Sequence, residues 1–182
     1  MQKKLDLDLW LDQSLFQRQN QLKADFLGLF EQLGNSVTNE ELTYFFSNSK
    51  GKKISKGNQL QGSPYFVLDL IRDFDSDSGC TIRFVSWFGH GLYCCVFLGK
   101  HVLQPDRFFV ENGFLLGRND LPWDLAAQVD RIKTPATNSK NSHKEDGARL
   151  WIKEIALVED REACLEKLLK ELKKILQANG RK

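Results

Sequence analysis

Apolar and polar positions divide the chain into segments of distinct period. Residues 5–11 alternate leucine with aspartate as far as Trp10, the pattern of a half-buried strand or of an ordered terminal arm. From about residue 13 the period lengthens to that of a helix. Leu15, Leu22, Phe26, Leu29, Phe30 and Leu33 then share one face, and Gly34-Asn35 ends it. Thr38 and Glu41 have capping-box spacing, and Val37 with Leu42 that of a hydrophobic staple, so a second helix is expected over 39–48. Residues 49–62 set Lys50, Lys52, Lys53 and Lys56 among glycines and read as a basic loop. Ser63-Pro64 suits the start of a third helix, with Val67, Leu70, Ile71 and Phe74 inward and Asp69, Arg72 and Asp73 outward. The apolar run 65–71 also suits a strand; the helix is preferred.

The strongest strand signal follows. Residues 81–88 and 92–99 flank Gly89-His90-Gly91, a three-residue hairpin loop. With Phe88 opposite Leu92, one face carries Ile82, Phe84, Ser86, Phe88, Leu92, Cys94, Val96 and Leu98. The other carries Thr81, Arg83, Val85, Trp87, Tyr93, Cys95 and Phe97. Asn112-Gly113 predicts a second hairpin built from 107–111 and 114–118, in competition with a short helix over 106–112 that stops at Gly113. Pro122 opens a further helix with Leu125, Val129 and Ile132 in line. Residues 134–147 are a polar surface excursion, expected to be mobile. A strand over 150–157 leads to a last helix over 160–178, whose stripe includes Leu165, Leu168, Leu172 and Ile175. These elements predict an α+β fold. It is an antiparallel sheet of about five or six strands, with N-terminal helices and a C-terminal helix packed on it. No repeat or linker interrupts residues 1–182, which are expected to form one domain.

Composition narrows the function classes. The net charge of +2 is too balanced to argue for nucleic acid. Aspartates interrupt the N-terminal leucines, so no export signal forms there, and no apolar run is long enough to span a membrane. Cys80, Cys94, Cys95 and Cys164 follow no metal or CxxC spacing and read as reduced thiols of a cytoplasmic protein.

No motif dictates a reaction. Asp73, Asp75 and Asp77 alternate as in a calcium loop, but the glycine comes one place late and Phe84 stands where the closing glutamate belongs. Gly89-His90-Gly91 joins two strands where a dinucleotide fingerprint requires a strand and a helix. Cys94 and Cys95 point to opposite sheet faces and cannot share an ion. No metal and no cofactor are therefore expected. The one suggestive constellation is geometric. Arg83 lies among Trp87, Tyr93 and Phe97, and Arg107 would oppose Arg118 across the second hairpin, a like-charge pair that a bound anion would stabilise. His90 at the hairpin tip completes the candidate set. Against it stands the plainer account, in which a helix covers this face and the rings form a second core layer.

The segment 62–75, GSPYFVLDLIRDFD, followed by TIRFVSWFGH over 81–90, resembles a bacterial protein family without an assigned activity. The resemblance covers about a quarter of the chain and implies only a bacterial cytosolic protein of this layout. The first expectation is a non-catalytic binding or protein-interaction protein. The alternative is an enzyme or binding protein for a phosphorylated or nucleotide-like anionic ligand held by Arg83, Arg107 and Arg118. A third is a module that bridges to protein partners through an uncovered sheet face.

Overall fold

The computed structural model describes residues 4–117, 123–133 and 147–178, without the side chains of residues 131 and 132. Three helices, α1 (Leu7–Leu11), α2 (Gln13–Asn35) and α3 (Asn39–Phe45), precede four strands, β1 (Lys53–Leu60), β2 (Ser63–Arg72), β3 (Cys80–Trp87) and β4 (Gly91–Leu98). Then come α4 (Asp106–Glu111), β5 (Leu115–Leu116), α5 (Leu125–Lys133), β6 (Arg149–Glu154) and α6 (Arg161–Gln177). The strands form one antiparallel sheet in the order β1-β2-β3-β4-β6-β5, so the α+β expectation holds.

The β3–β4 hairpin organises the sheet. Trp87 pairs with Gly91, and the loop is Phe88-Gly89-His90, with Gly89 in the left-handed region. Leu92 therefore faces Ser86, two places from the expected partner. Because side chains alternate with a period of two, an even offset leaves every residue on its expected face. One face holds Ile82, Phe84, Cys94, Val96 and Leu98, joined there by Leu29, Phe30 and Leu33 of α2 and by Leu168, Leu172 and Ile175 of α6. Each such side chain contributes about 1.5–3 kcal/mol when fully buried.

Several expectations are corrected. Residues 63–72 form a strand and not a helix. β2 lies between β1 and β3 with both faces covered, so its apolar residues run without the gaps that mark one-sided burial. Pro64 stands at its start, where a missing N–H costs least. The basic loop is in part the edge strand β1, with a bulge between Gly57 and Leu60. Residues 7–11 are helical because Asp6 caps their start, accepting from the backbone N–H of Leu9 at 3.0 Å, while Asp12 ends α1 and caps α2, accepting from the N–H of Leu15 at 3.0 Å. The capping box of α3 forms as expected, with Thr38 and Glu41 exchanging hydrogen bonds, but the helix stops at Phe45 because Phe46 is extended. At 107–111 the helix prevails over the hairpin. Asn112 is its C-cap and Gly113 takes φ 76°, so the dipeptide closes a helix instead of turning a strand. Residue 118, Pro122 and residues 134–146 lie outside the described residues, as does the side chain of Ile132.

One polar cluster ties α6 to the sheet. The Glu171 carboxylate accepts hydrogen bonds from Lys153 of β6 at 2.7 Å and from Lys174 at 2.8 Å. Burial pushes its pKa up, but the two ammonium groups outweigh burial and hold it below the ordinary glutamate value. A carboxyl lowered on folding stabilises the protein fully above its unfolded pKa and loses that contribution as pH falls through the folded one. Glu171→Gln should thus cost about 1.5–3 kcal/mol at neutral pH, the worth of hydrogen bonds to a charged group. The gap between wild type and variant should narrow as pH drops below the ordinary glutamate range. Urea melts at a series of pH values check this, and a gap independent of pH would contradict it.

Candidate functional site

The second face of the sheet is where sequence placed Arg83, Trp87 and Tyr93, and parity does put all three there. Two of them are sealed. Trp87 is 1% exposed and Tyr93 0%, packed with Phe97, Leu150 and Ile152 beneath Leu125, Ala126 and Val129 of α5. Their polar ends are used locally. The Trp87 indole donates to the Leu60 carbonyl at 3.1 Å, and the Tyr93 hydroxyl donates to the His90 carbonyl at 2.8 Å. The His90 ring stacks on Trp87 with centroids 3.6 Å apart, and its carbonyl also accepts from Lys133 at 2.8 Å. These residues fasten the hairpin tip to α5. They make no open aromatic surface.

Arg83 has a different setting. It lies across from Asp69 in the β2–β3 ladder, and its Nε donates to Asp69 Oδ1 at 2.7 Å. Asp69 is 4% exposed, whereas the Arg83 side chain keeps 23% of its surface. The guanidinium also lies 5.6 Å from the centre of the Phe74 ring and 5.7 Å from that of Trp123, within cation–π range. Phe74 and Trp123 meet edge to face, and Trp123 leans on Phe97.

This ion pair borders a cavity of ≈ 370 Å³ between the sheet and the start of α5. Ser55 and Leu60 of β1, Tyr65 and Val67 of β2, Val85 of β3 and Cys95 of β4 form its sheet side. Trp123, Asp124, Leu125 and Gln128 form the other, with Leu150 of β6. Gly57 matters here, because a side chain at that position would stand 2.6 Å from the Tyr65 ring, which crosses β1 at this point. Asp124 accepts from the Ala127 N–H at 3.0 Å and so caps α5. At the floor, the Cys95 thiol is pushed up to about 12 by burial, only partly offset by the Arg83 charge, so it stays protonated and is a poor nucleophile.

The remaining candidates are elsewhere. Arg107 is on α4 and pairs with Glu111 at 2.6 Å, so the expected opposition to Arg118 across a hairpin does not form. Arg118 lies outside the described residues. Of the basic segment, Lys52 donates to the carbonyls of Gly34 and Val37 at 2.9 Å each, closing the end of α2. The aspartate loop is folded on its own backbone, with the Asp75 carboxylate accepting from the N–H groups of Asp77 and Ser78 and from the Ser78 hydroxyl. Among the described residues no group of three or more His, Cys, Asp or Glu side chains is placed to hold a metal ion. Sequence reasoning missed Asp69, Trp123 and Gln128. Asp69 carried a signal, as the one acid inside an otherwise apolar run from Tyr65 to Ile71. Trp123 and Gln128 carried none, since only the docking of α5 brings them to the sheet. Compared with protein-family models, with curated proteins and with solved structures, the chain matches none.

Proposed function

We propose that the protein is a non-catalytic binding protein of the bacterial cytosol, whose ligand is a small, flat ring with both hydrogen-bond donors and acceptors, of the nucleobase kind. The observation that carries this reading is the Asp69–Arg83 pair, which borders a cavity instead of being packed on all sides. Buried ion pairs contribute little net stability, so one kept at the edge of a void has its best account in recognition. A carboxylate and a guanidinium side by side offer an acceptor and a donor to one edge of a ring. Trp123 and Tyr65 supply aromatic surface for stacking. The volume falls at the lower end of the range for small-molecule sites, roughly 300–1,000 Å³. Two carboxylates, Asp69 and Asp124, against one guanidinium favour a neutral ligand over an anion. The protonated Cys95 thiol supports binding without covalent chemistry. Four free, buried cysteines fit a reducing compartment.

Lys53 favours a second reading. It pairs with Asp69 across β1 and β2 and is exposed, so a phosphate on the same ligand would meet it. Calorimetry and thermal melts with a panel of bases, nucleosides and nucleotides test both. The first reading expects nucleosides to bind and raise Tm by mass action, about 2.7 kcal/mol at a hundred times Kd. A nucleotide binding ten or more times tighter than its nucleoside selects the phosphorylated ligand. A panel that leaves Tm unmoved at millimolar concentration would overturn both.

A further inference from the structure

A second cavity lies on the opposite side of β1 from the first, where α2 passes the border of the sheet. Lys56 pairs with Phe66 in the β1–β2 ladder, so both side chains leave the sheet on the face that carries the main core. Gly57 and Tyr65, the next pair, belong to the face of the first cavity. Lys23, Ala24 and Leu27 of α2 stand across from Lys56, Asn58 and Phe66, and a space of ≈ 500 Å³ is left between them. Ala24 ends at its Cβ, so the helix does not fill the gap.

The lining is divided by chemistry. Leu27 and Phe66 make an apolar floor continuous with the core, while Lys23, Lys56 and the Asn58 amide bring polar groups to the margin. Among the described residues no carboxylate lines this space. The acids on adjoining turns of α2, Asp25 and Glu31, fall outside it, and Asp25 accepts from Gln21 at 3.1 Å. Nor does either lysine take part in an ion pair among the described residues; Lys23 donates to the neutral Gln19 amide at 3.4 Å. Two ammonium groups brought from separate elements to one space repel unless an anion lies between them. Guarding an edge strand accounts for Lys56 but not for Lys23, which comes from the helix.

We propose that this groove binds a small amphiphilic carboxylate, its two oxygens at Lys23 and Lys56 and its alkyl tail over Leu27 and Phe66. The volume suits a small organic molecule, and a bare inorganic anion would leave the apolar floor wet. A peptide is the poorer occupant, because the bulge between Gly57 and Leu60 interrupts the ladder that its main chain would need. The groove is separate from the Asp69–Arg83 cavity, so either site can fail without the other.

Calorimetry on the full chain with butanoate, hexanoate, octanoate and octanol tests the proposal. Octanoate should bind with Kd below about 1 mM. Each added methylene should tighten binding about two- to fourfold, and octanol should bind at least about tenfold more weakly than octanoate. Lys56→Gln should weaken octanoate about five- to tenfold, and the double variant Lys23→Gln with Lys56→Gln at least about thirtyfold. Tm should not change, because Lys56 is exposed and Lys23 partly so. Ala24→Trp, also at an exposed position, should fill the groove and abolish binding. No binding at about 10 mM octanoate overturns the proposal. So does octanol binding as tightly as octanoate, or an affinity indifferent to tail length. Octanoate binding that survives either the double lysine variant or Ala24→Trp overturns it as well, since the ligand would then sit elsewhere.

Discussion

Replacing Arg83 by methionine should cost about 3 kcal/mol in an equilibrium urea melt, at the lower end of the range for breaking a buried ion pair. The direction follows from what remains. Asp69 is almost fully covered, accepts its ion-pair hydrogen bond from Arg83, and sits mid-strand among leucines and isoleucines. Removing the guanidinium leaves a carboxylate with its desolvation cost and without its partner. The lower end is apt because the cavity gives water a route to Asp69, and because Arg83 is itself partly exposed. Phe74 and Trp123 also lose the cation they flank. The double variant Asp69→Leu with Arg83→Met should recover most of this loss, since replacing both ions with apolar groups of similar volume is often neutral. It should bind no nucleoside. Stability regained with binding absent separates the two roles of the pair; a double variant as unstable as the single one would show that packing at the site, and not charge, sets the cost.

Gly79→Ala should be nearly as damaging, at about 2–3 kcal/mol, although it adds one methyl group. A Cβ at residue 79 would stand 2.6 Å from the Asp75 nitrogen and 2.7 Å from the Asp73 carbonyl oxygen. These are backbone atoms, so no rotamer change relieves the contact. The loop cannot drift away, because the Gly79 N–H donates to Asp75 and its carbonyl accepts from Gly99. Lys100 and His101 donate to Ser76 and Asp77 in the same way. The aspartate loop is therefore bonded to the chain leaving β4, and a bulge in one displaces the other. Thermal melts of Gly79→Ala beside Gly113→Ala make the comparison. A Gly79→Ala melt within a degree of wild type would contradict this account.

What sequence made legible follows from which physical signals are local. Parity within the β3–β4 hairpin is local, so Arg83, Trp87 and Tyr93 were assigned to one face even though the register was two places off. Capping is local too, and Thr38 with Glu41 marked a true helix start. Ser63-Pro64 shows the limit, because the same dipeptide opens a helix or a strand, and only neighbours on both sides of β2 decided between them. Asn112-Gly113 shows it again. A positive φ at the glycine serves a hairpin and a helix end equally, and Phe109, stacked on Trp151 and packed against Phe114, tipped the balance to the helix. Asp69 was assigned outward because the helical period put it opposite the apolar positions. As a strand residue it faces Arg83 directly. The cavity was illegible because half its wall comes with α5, which lies far along the chain from β2 and β3.

The margins of the sheet bear on how the protein behaves when crowded. One border strand, β1, carries Lys53 and Lys56 and a bulge, and the opposite one, β5, is two residues long. Neither offers a long flat ladder of unpaired N–H and carbonyl groups onto which another chain could zip. Strand-to-strand polymerisation is thereby discouraged, and fibril growth should require prior unfolding of β1.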